Sequence, residues 1–175
     1  DMDRIVQLCR KYNVALIEDA AESLGTYYKG KHVGTIGDYG IFSFNGNKII
    51  TTSGGGMLVS DCVERIEKVR FWSTQSKDPA RYYQHSELGF NYRMSNVLAG
   101  IGRGQLKVLD QRVKKKTDIF EFYRRELETL EGVEFMPVND WNKSNFWLSC
   151  LTLSGKVRPL DVIEAIDNNN DPEHM

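Results

Sequence analysis

Apolar residues at helical spacing open the chain. Ile5, Leu8 and Cys9 fall at i, i+3 and i+4 and predict one face of a helix over residues 1–12, with Asp1 or Asp3 as its N-cap. Asn13 closes it. Val14-Ala15-Leu16-Ile17 follows as a short continuous apolar run, the pattern of a parallel strand buried on both faces, and stops at Glu18-Asp19. Helix, buried strand and a carboxylate at the strand's end predict an α/β protein. Residues 26–37 read as a hairpin turning at Lys29-Gly30.

Two further apolar runs, Ile41-Phe42-Ser43-Phe44 and Met57-Leu58-Val59, predict strands separated by a polar, glycine-rich stretch that carries Lys48. The lysine therefore sits just past a strand end, where open α/β sheets bind ligands. Asp61 is the expected cap of a helix reaching Trp72, with Val63, Ile66 and Val69 on one face. Residues 73–88 form a long polar loop. From Ser95 the helical period runs through Leu106, Leu109, Val113, Phe120 and Tyr123 to about Leu130. Gly100, Gly102 and Gly104 lie inside it; each costs about 1 kcal/mol against alanine, which predicts close packing there. Strands are expected at 133–135 and 146–153, a polar turn at 139–144, and a helix at 158–168. This β-β-α order after a long helix divides the chain into residues 1–114 of a large domain and residues 115–175, a linking helix and the start of a small α+β domain.

Composition adds mainly exclusions. The 175 residues suffice for a sizeable core, and 41% hydrophobic with 27% charged residues is ordinary for a globular protein. A net charge of -1 gives no field for nucleic acid, and the basic run Arg112–Lys116 reads as a solvated helix face. Cys9, Cys62 and Cys150 are far apart, and His32, His85 and His174 have no ligand spacing. That argues against a disulfide framework or zinc site and fits a reducing cytoplasm. No apolar run is long enough to predict a membrane span. The chain opens directly on a helix and a strand lacking neighbours. The expectation is a part of a longer chain, or a short protein that completes its sheet with a partner.

Three residues suit one chemistry. The Lys48 amine can condense with an aldehyde and then act as a base. Asp19, at the end of the earlier strand, can keep a pyridine nitrogen protonated, and the Ser43 hydroxyl can donate to a phosphate. Pyridoxal phosphate carries all three partners. Spacing alone still favours plainer readings: a solvated lysine and a turn-forming aspartate.

Longer motifs occur in order: Ile17-Glu18-Asp19-Ala20-Ala21-Glu22-Ser23-Leu24-Gly25, Gly34-Thr35-Ile36-Gly37-Asp38-Tyr39-Gly40, Phe42-Ser43-Phe44-Asn45-Gly46-Asn47-Lys48, Gly54-Gly55-Gly56 and Gly89-Phe90-Asn91-Tyr92-Arg93-Met94. Together they resemble the DegT/DnrJ/StrS family of nucleotide-sugar aminotransferases, over nearly the whole chain but only the middle of a typical member. The resemblance implies an aspartate-aminotransferase-like (type I) fold with a three-layer αβα large domain. It also implies a homodimer with a shared active site, pyridoxal 5'-phosphate as cofactor, and an amino donor, glutamate, serving a nucleotide-linked keto-sugar. By position, Lys48 is implied as the Schiff-base lysine and proton-moving base, and Asp19 as the partner of the pyridine nitrogen. Glu22 is implied beside the cofactor ring, Ser43 at its phosphate, and Asn91 at the phosphate of the neighbouring subunit.

Overall fold

The computed structural model describes residues 1–169. The last six residues of the expected second domain, His174 among them, lie outside the described residues. Helix α1 (Met2–Lys11) is capped by Asp1, whose carboxylate accepts from the Arg4 N–H. Strand β1 (Ile17–Asp19) begins where the apolar run was expected to end. Residues 14 and 15 do not pair; Leu16 instead donates its N–H to the Asp38 carboxylate and accepts from the Asp38 and Tyr39 amides.

A hairpin, β2 (Tyr27–Tyr28) and β3 (Lys31–His32), turns at Lys29-Gly30 with both residues at positive φ. Strands β4 (Tyr39–Ser43) and β5 (Gly56–Val59) flank the glycine-rich stretch. The main sheet has order β1-β4-β5, with β1 parallel and β5 antiparallel to β4.

This sheet has two unlike faces. Glu18, Gly40 and Phe42 are buried, while Ile17 is 59% and Ile41 39% exposed on the other side. Burial on both faces was expected for the first strand. In the described chain it is the sheet's edge strand, and only its inner face is covered. The inner face packs Ala20, Phe42, Phe44 and Ile50 against Leu24, Val33, Met94 and Leu109.

Glu18 is buried with no cation paired to it among the described residues. Its carboxylate accepts from the amides of Gly34, Ile36 and Gly37 at 2.8, 2.6 and 2.6 Å, which fixes that loop over β4. The approach is so close that a Cβ on Gly40 would lie 1.7 Å from the Gly34 carbonyl oxygen.

Helix α2 (Val63–Ser73) starts from Cys62 rather than Asp61, without a side-chain cap. Helix α3 (Asn96–Leu106) is capped by Ser95, whose hydroxyl accepts from Leu98 N–H. The expected single helix to Leu130 is instead two, because α4 (Leu109–Leu127) begins after a tight turn. At that turn Lys107 and Val108 donate to carbonyls three residues back. Of the three alternating glycines, only Gly102 is closely packed, with Thr52 Cγ2 at 3.0 Å from an added Cβ; Gly100 and Gly104 face open space.

Strand β6 (Val133–Phe135) pairs with β8 (Leu151–Leu153), and α5 (Pro159–Asn169) follows. Residues 146–150, expected as strand, are not. Phe146 adopts φ 47° and stacks on Phe120 at 4.2 Å. The expected turn at 139–144 contains strand β7 (Asn142–Lys143), which adds to the hairpin beside β2.

Candidate active site

The site grows from the C-terminal ends of β1 and β4. Asp19 is the register partner of Ile41, and Ser43 lies two residues further on the same face. Asp19 and Ser43 therefore share the open face of the sheet, at the edge where the chain leaves for Lys48. Asp19 Oδ1 accepts from the Ala21 amide at 3.2 Å, and Ser43 Oγ accepts from the Asn45 amide at 3.4 Å. Both contacts are local and shape the loops that leave the two strands.

Residues 45–51 form an excursion closed on itself. The Phe44 carbonyl accepts from Thr52 N–H at 2.9 Å and from the Thr51 hydroxyl at 3.1 Å, while Phe44 N–H donates to Gly55. Ile50, 2% exposed, anchors the excursion in the core. Lys48 is thus held at both ends of its loop. Its side chain is only 12% exposed, unlike a solvated lysine in a glycine-rich loop. Nζ donates to Glu22 Oε1 at 3.1 Å and lies 4.5 Å from the centre of the Trp147 ring.

Sequence reasoning missed the segment 145–147. Asn145 is 4% exposed. Its Nδ2 donates to the carbonyls of Glu22 at 2.8 Å and Leu24 at 2.9 Å, and its Oδ1 accepts from Trp147 N–H at 3.0 Å. Trp147 Nε1–H donates to the Asn47 carbonyl at 2.7 Å. One segment thereby braces both members of the Lys48–Glu22 pair. The apolar neighbours Phe146, Trp147 and Leu148 suggested an ordinary strand. A positive-φ turn at a non-glycine residue leaves no mark in such a run.

The structure brings Lys48 and Glu22 into contact and puts Asp19 and Ser43 on the adjoining sheet face. Asn91 stands apart. It is exposed, in an isolated bridge with Thr74 beyond α2. Among the described residues no group of three His, Cys, Asp or Glu could hold a metal, and no helix is long and apolar enough to cross a membrane.

These residues fit pyridoxal phosphate by their chemistry: a screened amine, a carboxylate and a hydroxyl with no side-chain partner among the described residues, and an acid beside the amine. Residues 1–170 match the model of the DegT/DnrJ/EryC1/StrS aminotransferase family. The chain belongs to that family.

EpsN of Bacillus subtilis, to which a pyridoxal phosphate-dependent aminotransferase activity is ascribed, is 57% identical over 169 residues, covering 97% of this chain and 44% of that protein. A GDP-perosamine synthase of Escherichia coli O157:H7 is 42% identical over 133 residues, covering 76% of this chain and 36% of that protein. The crystal structure of the aminotransferase TlmJ from Streptoalloteichus hindustanus superimposes with a TM-score of 0.85 at 28% identity, covering 93% of this chain and 44% of that one. The chain spans less than half the length of the curated relatives it matches. Its fold is that of the type I pyridoxal-phosphate transferases.

Proposed function

We propose that this chain supplies the lysine-bearing part of a pyridoxal phosphate-dependent aminotransferase site. The enzyme passes an amino group from glutamate to a keto-sugar carried on a nucleotide, and works as a homodimer with shared sites. One observation carries the reading: a lysine amine screened to 12% exposure and held 3.1 Å from a carboxylate, in the loop that leaves a sheet edge bearing Asp19 and Ser43. Family membership and the GDP-perosamine synthase relative support the substrate class.

Bound here, the cofactor would supply a carbonyl that condenses with amines and a protonated ring that withdraws electrons. Lys48 holds it and then moves a proton at the amine-bearing carbon of the substrate. Asp19 pairs with the ring nitrogen and keeps it protonated. Ser43 donates to the phosphate, and Asn91 serves the neighbouring subunit's phosphate. Glu22 orients the Lys48 amine. In this reading residues 1–114 belong to the large domain and residues 115–175 to the linking helix and small domain.

The test is borohydride reduction of the chain mixed with pyridoxal phosphate, followed by peptide mapping. The label is expected on Lys48 and is lost in Lys48→Ala. A label mainly on another lysine overturns the reading.

A further inference from the structure

The cavity beside Lys48 has a second wall. It encloses about 400 Å³ between the Lys48 loop, Gln105 of α3, the Trp147 ring and one face of α4. On that face Arg112, Lys115 and Lys116 fall at i, i+3 and i+4, so all three look into the same space. With Lys48, whose charge is paired with Glu22 at 3.1 Å, they put four cations around the cavity, and none of the residues lining it carries a carboxylate.

Neighbouring charges on α4 are neutralised otherwise. Lys114 pairs with Asp118 at 2.7 Å and Arg124 with Glu121 at 2.6 Å. Arg112, Lys115 and Lys116 have no ion pair among the described residues. Like charges one helical turn apart repel. Leaving them uncompensated in a concave site favours a ligand that brings negative charge. The whole protein carries a net charge of only -1, so these cations are not part of a generally basic protein.

We propose that this cavity is the subsite for the diphosphate of a nucleotide-linked substrate. This rests on the reading of Lys48 as the amine that serves the sugar. One turn of α4, about 5.4 Å, spaces cations for two linked phosphoryl groups, whereas a carboxylate would engage one of them. Arg112 can chelate a phosphoryl group through two N–H donors, and the lysines add point charges.

The probe is inorganic diphosphate, titrated calorimetrically into the 175-residue chain. The triple variant R112Q/K115Q/K116Q keeps the side-chain stems and removes the charge. It is expected to bind at least about tenfold more weakly, since one charge-assisted contact is worth about a factor of ten. Lys114→Gln, whose charge is already paired, is expected to leave binding unchanged. No diphosphate binding by the parent chain, equal binding by the triple variant, or an equal loss in Lys114→Gln overturns the proposal.

The same chemistry could come from the cofactor's own phosphate, and a second arm separates the two sources. Pyridoxal phosphate with borohydride is expected to label Lys48 equally in the parent and triple variant. Loss of that label in the triple variant assigns the cleft to the cofactor and overturns the diphosphate reading. A label elsewhere than Lys48 in the parent overturns the proposed function, while the diphosphate titration still decides the cleft.

Discussion

Asn145→Ala tests whether one buried amide holds the site together. Asn145 donates to two carbonyls, of Glu22 and Leu24, and accepts from the Trp147 amide. Neither carbonyl has another hydrogen-bond donor among the described residues. Truncation leaves two acceptors and one donor without partners. Each unsatisfied buried group costs about 1–3 kcal/mol. Glu22 and Trp147 lie near the surface and water can reach them, so the low end applies and the loss sums to about 3 kcal/mol. With a urea m-value of about 2 kcal/mol/M, the midpoint falls by about 1.5 M at unchanged m.

Asn145→Asp sharpens the test. It has the same shape but turns an acceptor toward two carbonyls, so it is expected to be no more stable than the alanine variant. A midpoint shift under about 0.3 M for alanine, or an aspartate variant as stable as the parent, would refute the assignment of these three bonds.

Two further outcomes follow from the same geometry. Trp147→Phe keeps a ring over Lys48 Nζ but loses the bond to Asn47, and Trp147→Leu loses both. The share of pyridoxal-borohydride label found on Lys48, read by mass spectrometry, is expected to fall from parent to Phe to Leu; equal shares would sink the bracing role. Asp38 accepts from Leu16 N–H at 2.8 Å and from Arg65 at 2.7 Å, which hold its carboxyl below the usual carboxylate range. A lowered folded value adds stability above the unfolded value of about 3.9 that is lost as pH falls through the folded one. Urea midpoints taken between about pH 3 and 6 should therefore slope less steeply for Asp38→Asn; parallel slopes would contradict it.

Much of the fold was legible in the residues. Local signals carried the elements that local physics decides: the first helix with an aspartate cap (Asp1 of the two offered), the helix start at Ser95, the Lys29-Gly30 turn, and the strands on either side of the glycine-rich loop. The break between α3 and α4 was invisible because the residues between the helices, Lys107 and Val108, are ordinary helix residues and the apolar period runs on through them. The first strand's extent was misread because pairing begins after the Leu16–Asp38 hydrogen bonds, which join residues far apart in sequence.

By itself, the sequence determined the class of fold, the family and the candidate chemistry, because motif residues and hydrophobic period are properties of short stretches. Lys48, Asp19, Glu22 and Ser43 could be named without coordinates. Tertiary structure decided their relations. It put Asp19 and Ser43 on the same open sheet face, drew Glu22 onto Lys48, and brought residues 145–147 across the chain to brace both. It also turned the basic run of α4 toward the lysine's cavity. These are contacts between residues up to 123 positions apart. Periodicity and spacing carry no record of such contacts, since only packing of the whole chain chooses which distant surfaces meet.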